Sequence, residues 1–528
     1  MTFNAPDLDY AGLSPIIALT AGLCVVLLAG LVGRAQRRIV SLLSFVSLGA
    51  AAGLSVWQFG EGKDLVSGAL RLDELGLIAT LIAIVCAAFV IPLSWREEAA
   101  DDAPGPGGHG EFQALLIASV LGMALLAMAQ NLVIFFVGLE LLSVPLYVLC
   151  GSALRHKQSL ESGLKYLIIG ALGSATLLYG LAFIYGGSGS TDFSGIRDGI
   201  GPSLADDPLI LIGIALTATG LAFKLSIAPF HQWTPDVYQG APTPVTAFMA
   251  VATKAAAFAV FARFFEIALG PAVGDWQPAL AALAAVSIVV GNVGALTQSS
   301  LKRLLGYSGI AQAGYMLVGI VAANEAGVQA LFFYLTAYAF MNLAAFAVIT
   351  IRERETGFGD DIRSVQGLGR ERPELAWPLT IAMLALAGLP GTAGFIGKLY
   401  LIEAAVDGDY TWLAVMIAVG TMISLAYYLR VVAAVWMRPA YHADPTPEAG
   451  HRALPAMAGG SPDAAAEDFG WAGAAPGGPS GRIGGIHCPV IIGLTIAAAA
   501  ATVFFGIIPT PLVEFVSGAG ESISAALE

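Results

Sequence analysis

Long runs of apolar residues dominate the chain. The segments Thr20 to Val32, Leu75 to Leu93 and Ile491 to Ile508 contain no Asp, Glu, Lys, Arg or His. The second and third are long enough to cross the hydrocarbon core of a bilayer as single α-helices. Lipid offers the backbone no hydrogen-bond partner, so such segments must be helical, and the alternating short strands of an outer-membrane barrel are missing from the sequence. The pattern therefore predicts an all-α integral membrane protein.

At about twenty residues for each crossing, the apolar pattern predicts about fourteen transmembrane helices. Two connections stand out by composition. Residues 96–111 are acidic and rich in Gly and Pro, and residues 439–487 are rich in Gly, Ala and Pro, which predicts a flexible loop. The predicted spans are 13–33, 38–59, 74–95, 112–129, 131–153, 159–187, 208–235, 243–268, 276–298, 304–323, 327–351, 375–405, 411–437 and 488–510.

Composition agrees with this architecture and narrows the function. The chain is 57% hydrophobic and 12% charged, about half the charged fraction of a soluble protein. Its net charge of −13 gives no reason to expect nucleic acid as a partner, since the acids lie in short connections. The four cysteines lie far apart and form no CxxC or Cys/His cluster, and no dinucleotide or phosphate-binding motif is present. We therefore expect this chain to hold no metal and no cofactor.

The basic residues predict an orientation. One side of the membrane receives 16 Lys and Arg residues in its loops and the other receives four, namely Lys63, Arg71, Arg197 and Arg263. Cytoplasmic loops carry the excess of Lys and Arg, so the first loop is expected in the cytoplasm of a bacterial inner membrane and both termini outside. The cytoplasmic set is Arg34, Arg37, Arg38, Arg96, Arg155, Lys157, Lys302, Arg303, Arg352, Arg354, Arg363, Arg370, Arg372, Arg438, Arg452 and Arg482.

Five cations and one clear anion are assigned to the interior of the membrane. A charge at mid-bilayer costs several kcal/mol, so such residues usually line a cavity, find partners and mark an ion path. Arg430 lies near the end of its span and is best explained by a side chain that reaches the interface, and Lys165 allows the same explanation. The alternatives for the deeper groups are a structural ion pair or a backbone cap. The six are Glu140, Lys165, Lys224, Lys254, Lys398 and Arg430.

Two spans contain helix-breaking residues next to a lysine. The seventh contains Pro229 shortly after Lys224, and the twelfth contains Gly388-Leu-Pro-Gly391 before Lys398. Because the two spans are five helices apart, a repeat of five helices must be inverted in its second copy, an arrangement typical of transporters. The sequence thus predicts helices 1–3 in residues 1–110, helices 4–8 in 111–270, their inverted copy, helices 9–13, in 271–438, a flexible cytoplasmic loop in 439–487, and a last helix and tail in 488–528.

The segment Pro229-Phe-His-Gln-Trp-Thr-Pro-Asp-Val-Tyr-Gln-Gly-Ala-Pro-Thr-Pro-Val-Thr-Ala-Phe248 resembles the signature of subunit N of NADH-quinone oxidoreductase, respiratory complex I. Shorter matches include Gly138-Leu-Glu-Leu-Leu-Ser143, Lys302-Arg-Leu-Leu-Gly-Tyr-Ser308 and Gly394-Phe-Ile-Gly-Lys-Leu-Tyr400. The resemblance covers about residues 110 to 438. It is specific because of the long first motif.

The resemblance implies fourteen helices with two inverted five-helix repeats, and proton translocation driven by quinone reduction elsewhere in the complex. The family's polar chain through mid-membrane maps onto Glu140, Lys165, Lys224, Lys254 and Lys398, with His231 near the first break. NADH, FMN, iron–sulfur clusters and quinone are expected in partner subunits of complex I. In two departures from the family's pattern, Gln312 stands where relatives often have His, so no proton role is assigned to it, and Thr253 stands where Pro is common.

As a working hypothesis, Glu140 holds a neighbouring lysine protonated while the two are paired, with Lys165 or Lys224 as its expected partner. Lys254 passes the proton along the middle and Lys398 connects to a second half-channel or a neighbouring subunit. Two alternatives remain open. One is a subunit of a multi-subunit cation/proton antiporter or membrane-bound hydrogenase, and the other is a scaffold subunit that pumps nothing.

Overall fold

The computed structural model describes residues 8–32, 37–96, 108–154, 156–200, 207–440 and 487–527. Its helices, numbered here in chain order, are α1 Ser14–Gly30, α2 Arg37–Trp57, α3 Glu74–Leu93, α4 Gly108–Ala127, α5 Leu132–Cys150, α6 Lys157–Ser188, α7 Phe193–Gly199, α8 Pro208–Leu225, α9 Trp233–Gly240, α10 Thr243–Ala262, α11 Val273–Ala295, α12 Leu301–Val321, α13 Glu325–Glu355, α14 Leu368–Glu371, α15 Pro373–Ala387, α16 Ala393–Asp407, α17 Thr411–Met437, α18 His487–Ile507 and α19 Thr510–Leu527.

The all-α membrane fold predicted from the sequence is confirmed. Within the described ranges, twelve helices are long and apolar enough to cross a membrane, and α1 and α15 are shorter apolar helices. The helices follow the predicted spans closely, with the seventh and twelfth spans each divided in two. The count of fourteen spans, the inverted repeats and the domain limits stay predictions, and nearly all of the loop 439–487 lies outside the described residues.

Polar residues fix where several helices begin. The Asn131 side chain accepts a hydrogen bond from the Val133 amide at 2.8 Å, and the Asn324 side chain accepts one from Gly327 at 2.7 Å. Such caps satisfy amide groups that lack a partner within the helix. The same residue types that interrupt the apolar pattern therefore set the helix starts.

Glycines let neighbouring helices pack backbone to backbone. A Cβ added to Gly122 of α4 would lie 2.2 Å from the Leu142 nitrogen of α5, and one added to Gly291 of α11 would lie 2.3 Å from the Ala311 nitrogen of α12. Small residues at such crossings are the usual packing device in membranes. The two crossings stand at the start of the two predicted repeats.

Helix α10 forms the centre of the bundle. It packs against α3, α4, α8, α12 and α13, and each of its residues is buried. Helices α1, α2, α6, α17 and α18 instead expose many large apolar side chains, such as Leu28, Leu172 and Met422. An apolar surface of this kind is expected to face lipid or other membrane subunits.

One residue lies elsewhere than the sequence predicted. Arg263, which we counted in an outer loop, is fully buried in the π-helical turn Arg263–Ala268 that continues α10. Its Nη2 forms an ion pair with Asp73, and its Nε donates to the Ala127 carbonyl at 2.7 Å. The acid that compensates this cation is remote in sequence, which is why the pattern of apolar runs did not reveal it. Of the other three cations counted outside, Lys63 and Arg71 lie in short strands and Arg197 lies in the short helix α7, and the orientation stays a prediction.

A strand hairpin and a C-terminal helix are among the elements that have no counterpart in the predicted spans. Strands Lys63–Leu65 and Leu70–Leu72 form an antiparallel hairpin that pairs Lys63 with Leu72. The C-terminal tail forms helix α19, which packs on α3 and α13, and the Ser522 hydroxyl accepts a hydrogen bond from the Leu75 amide at 3.3 Å. A helix that is apolar on one face only does not produce the continuous apolar run by which spans are recognised.

Candidate functional site

The two predicted helix breaks are present. Helix α8 ends at Leu225, where Ser226 adopts a positive φ of 62°, and the chain turns through Pro229 before α9 begins. Helix α15 ends at Ala387, where Gly388 has φ 79°, and α16 begins at Ala393. Each break leaves main-chain carbonyls at a helix end inside the bundle, and such groups need a partner.

Lys254 supplies a partner at the first break. It projects from the buried helix α10 and is 2% exposed. Its Nζ donates to the carbonyl of Leu225, the last residue of α8, at 3.3 Å, and to the carbonyl of Gly309 in α12 at 2.9 Å. Within the described residues, no ion pair joins Lys254 to a carboxylate, and both of its hydrogen bonds go to carbonyls. The ammonium is therefore held by neutral dipoles alone.

Lys398 binds a helix-end carbonyl at the second break in a similar way. It is 3% exposed, and its Nζ donates to the Leu386 carbonyl near the end of α15 at 3.0 Å. The same Nζ lies 5.1 Å from the centre of the Tyr315 ring, whose face attracts cations. Two of the lysines that the sequence placed in the relay thus bind carbonyls at the two breaks.

Lys224 lies one residue before the end of α8 and contacts hydroxyl groups. Its Nζ donates to the Ser143 hydroxyl at 2.6 Å and to the Tyr166 hydroxyl at 3.2 Å. The rings of Tyr166 and Tyr147 lie 5.4 and 5.9 Å from the same nitrogen. Ser143, Tyr147 and Tyr166 were not singled out from the sequence, because a neutral hydroxyl residue in an apolar helix gives no clear signal.

Glu140 lies on α5 one turn before Ser143, so the two side chains share a face of the helix. It is half-buried, and its Oε1 is buried without a hydrogen-bond partner. Across the described residues, neither Lys165 nor Lys224 forms an ion pair with it within 4 Å. The structure brings Glu140 close to the Lys224 cluster but does not contain the ion pair that we expected.

Lys165 belongs to a more exposed group. It is 40% exposed and binds Glu161 at 2.6 Å and Asp236 at 3.2 Å. Asp236, which follows the predicted end of its span at residue 235, also accepts from Arg303 at 2.5 Å. Burial opposes ionisation of Asp236, but the hydrogen bonds from Arg303 and Lys165 outweigh it and hold its pKa below the usual range. The ion pairs fit the reading of Lys165 as a side chain that reaches the interface.

His231 lies in the first break and is half-buried. None of the hydrogen bonds that hold Lys224, Lys254 and Lys398 involves it.

Arg430 binds the carbonyls of Leu296, at 2.8 Å, and Gln298, just after the end of α11. These two hydrogen bonds give Arg430 a structural explanation, and its reach to the interface stays a prediction.

A line of polar side chains, buried throughout, joins the surroundings of Lys254 and Lys398. Gln312 Nε2 donates to the Leu386 carbonyl, which also accepts from Lys398, and to the Tyr428 hydroxyl, both at 3.4 Å. Tyr428 hydrogen-bonds Ser308, the neighbour in sequence of Gly309. No proton role was assigned to Gln312 from the sequence, and Tyr428 was missed because its contact with Gln312 joins positions more than a hundred residues apart.

Known proteins resemble this chain over most of its length. A protein-family model described as NADH:quinone oxidoreductase/Mrp antiporter, TM, matches residues 129–424. NADH-quinone oxidoreductase subunit N 1 of Herpetosiphon aurantiacus is 38% identical over 454 residues, which cover 85% of this chain and 91% of the relative. The subunit N of a Parafrankia species is 39% identical over 456 residues, covering 81% and 86%.

The chain belongs to the NADH-quinone oxidoreductase subunit N family.

Solved structures extend the likeness to the whole fold. A chain of respiratory complex I from Thermus thermophilus, solved with bound aureothin, superposes with a TM-score of 0.75 at 32% identity, covering 96% of this chain and 100% of that one. A chain of the Mrp complex from a Dietzia species superposes with a TM-score of 0.80 at 21% identity, covering 99% and 100%. At that identity the second likeness concerns the fold alone.

Two features of this family member bear on the site. Thr253 lies beside Lys254 in the unbroken helix α10, and its hydroxyl donates to the Met249 carbonyl at 2.6 Å. The part of the chain that the structure describes contains no group of three or more His, Cys, Asp or Glu side chains that could hold a metal ion. The side chains that contact one another near the two breaks carry amine, hydroxyl and amide groups.

Proposed function

We propose that this chain is a proton-translocating membrane subunit of NADH-quinone oxidoreductase, and that its proton path runs through Glu140, Lys165, Lys224, Lys254 and Lys398, with His231 at the first break. Quinone reduction elsewhere in the complex drives the transfer. The single observation that carries the proposal is that Lys254 and Lys398 are both buried at helix breaks and hydrogen-bonded to carbonyls.

The physical argument concerns the cost of a buried charge. A cation in the core of a membrane protein is retained when it is paired with an acid or when it has a task. Neither lysine is paired with an acid among the described residues, so the charged form of each costs more than it would beside a carboxylate, and the neutral amine becomes accessible. Carbonyls at a helix end accept hydrogen bonds from either form. A group that exists in both forms can receive a proton and release it.

The first half of the path has a switch in Glu140. In the present arrangement Lys224 contacts Ser143 and Tyr166, and the Glu140 Oε1 has no partner. We propose a second arrangement in which Lys224 pairs with Glu140 and is held protonated. Moving between the two would let Lys224 take up a proton and then release it towards Lys254. Lys165, with Asp236 and Arg303, would lie at the entrance.

Membership of the family supports the remaining parts of the proposal. Its relatives are named as subunits of NADH-quinone oxidoreductase. We propose that this chain assembles with the other membrane and peripheral subunits of such a complex in a bacterial inner membrane, with both termini outside. NADH, FMN, iron–sulfur clusters and quinone would then be bound by those partner subunits. Lysine does not ligate sodium, so a path built mainly of lysine favours protons.

Sealed membrane vesicles that contain the whole complex provide the test. Lys254→Met and Lys398→Met keep side-chain length and remove the exchangeable proton, so proton pumping and coupled quinone reduction should fall together by about tenfold or more. NADH oxidation with an artificial acceptor and the amount of assembled complex should stay unchanged. Thr253→Val is the control, because this neighbour of Lys254 binds only its own helix. Normal pumping by both lysine variants would overturn the proposal and favour a scaffold role.

A further inference from the structure

The proposed path has a gap between its two buried lysines. Lys254 is bound to the carbonyls of Leu225 and Gly309, and Lys398 to that of Leu386. A carbonyl oxygen accepts a hydrogen bond but has no proton to pass on. Transfer from one lysine to the other therefore needs a further group that can both accept and donate.

Ser308, Gln312, Tyr334 and Tyr428 are the polar side chains that fill this gap. All four are 1% exposed or less. Tyr428 of α17 hydrogen-bonds the Ser308 hydroxyl on one side and accepts from Gln312 Nε2 at 3.4 Å on the other. Ser308 adjoins Gly309, which binds Lys254, and Gln312 binds the Leu386 carbonyl, which binds Lys398. Tyr428 thus lies between the immediate surroundings of the two lysines.

The amide of Gln312 is unsuited to carrying the proton, since its nitrogen only donates and its oxygen only accepts. Its orientation is fixed at both ends, because Tyr334 donates to Oε1 while Nε2 donates to Leu386 and Tyr428. With Nε2 directed at its oxygen, the Tyr428 hydroxyl cannot direct its own proton at Gln312, and its remaining lone pair can accept from Ser308. Gln312 therefore sets the direction of the Tyr428 hydroxyl.

We propose that Tyr428 carries the proton between Lys254 and Lys398 and that Gln312 is the residue that positions it, an inference that rests on the function proposed above. The Lys254 ammonium gives a proton to the Ser308 oxygen, and Ser308 releases its own hydroxyl proton to the Tyr428 oxygen. Tyr428 in turn releases its hydroxyl proton to the neutral amine of Lys398. Lys254 ends neutral, Lys398 ends charged, and both hydroxyl groups are restored.

Tyr427 provides a matched control on the same helix. Its hydroxyl donates to Asn292 at 3.0 Å and interacts with the Tyr428 hydroxyl, but it has no hydrogen bond to Ser308 or Gln312, and its ring centre lies 4.4 Å from that of Tyr428. Both tyrosines are buried. Tyr427→Phe and Tyr428→Phe therefore remove the same atom from neighbouring buried positions, and only the second removes it from the gap.

The experiment compares these two variants with Lys398→Met in the assembled complex in sealed vesicles. Tyr428→Phe should lower proton pumping and coupled quinone reduction about tenfold or more, as Lys398→Met does, while Tyr427→Phe stays within about twofold of the wild type. Normal pumping by Tyr428→Phe alongside a defective Lys398→Met would overturn this inference and leave the proposed function standing. Normal pumping by Lys398→Met would instead contradict the function itself.

A second variant keeps the inference testable if Tyr428→Phe does not assemble. Gln312→His places a group that can accept and donate a proton next to Tyr428, and an unperturbed imidazole titrates near pH 6.5. Its pumping rate should acquire a pH-dependent step that the wild type lacks, whereas Gln312→Met should only slow pumping. A Gln312→His variant with the pH profile of the wild type would overturn the inference, because a purely structural role predicts no such step.

Discussion

At each broken span, a lysine binds a main-chain carbonyl at the helix end. The two lysines differ in which helix supplies them. At the first break, the end of α8 is bound by Lys254 from the separate helix α10. At the second, the end of α15 is bound by Lys398 from α16, the other half of the same span. A shift between spans would therefore disturb the first contact, and a bend within one span would disturb the second. The two breaks have similar sequence patterns. Different helix motions, however, would disturb the lysine–carbonyl contact at each.

The two regions also differ in the acid available to them. Glu140 lies one turn from Ser143, the serine that binds Lys224, on the side of the first break. At the second break the structure places the Tyr315 ring, rather than a carboxylate, beside Lys398. The first region can hold a lysine charged by pairing, whereas the second can do so only through carbonyls and a ring. We infer that the first region controls whether a lysine on the path is protonated.

The largest effect expected from this comparison is that of Glu140→Gln. An amide cannot pair with an ammonium as a carboxylate does, so the switch at the first region is lost. Proton pumping and coupled quinone reduction should fall about tenfold, measured per assembled complex in sealed vesicles. Glu161→Gln, which changes an exposed acid bound to Lys165, should have little effect. Equal rates for Glu140→Gln and the wild type would remove Glu140 from the path.

An intermediate effect is expected at the second break. In Gly388→Ala the new Cβ would lie 3.2 Å from Cδ and Nζ of Lys398, and the positive φ adds about 1–2 kcal/mol of strain. Gly391→Ala brings a similar strain, at φ 85°, with no neighbouring atom within 4 Å. Both variants should lower the melting temperature of the purified complex, but Gly388→Ala should also slow coupled turnover. Equal turnover in the two would show that crowding Lys398 does not matter.

The smallest effect is expected for Lys165→Gln. Lys165 is 40% exposed, and an exposed ion pair is worth about 0–1 kcal/mol. Water can also take over proton entry at an exposed position. Pumping should stay within about threefold of the wild type, with normal assembly. A loss as large as that of Glu140→Gln would mean that Lys165, rather than Lys224, is the partner controlled by the acid.

The sequence predicted the fold and the deep lysines because both leave strong local signals. A proline or a Gly-rich segment inside an apolar run marks a break. A lysine in such a run carries a large free-energy cost, which makes it a conspicuous candidate for function. The partners of these lysines could not be predicted. Gln312 and Tyr428 are neutral, lie on different helices, and become a pair only through packing. Arg263 was misplaced for the same reason, since the acid that pairs with it begins another helix.

The central claim is that a buried lysine releases and regains its proton, and Lys398→Arg tests it most directly. Arginine keeps the charge and can donate to the Leu386 carbonyl, but its guanidinium almost never deprotonates. The account predicts an assembled complex that oxidises NADH with an artificial acceptor at the normal rate while proton pumping falls about tenfold or more. Pumping at the wild-type rate would show that Lys398 is a fixed structural cation and would contradict the account.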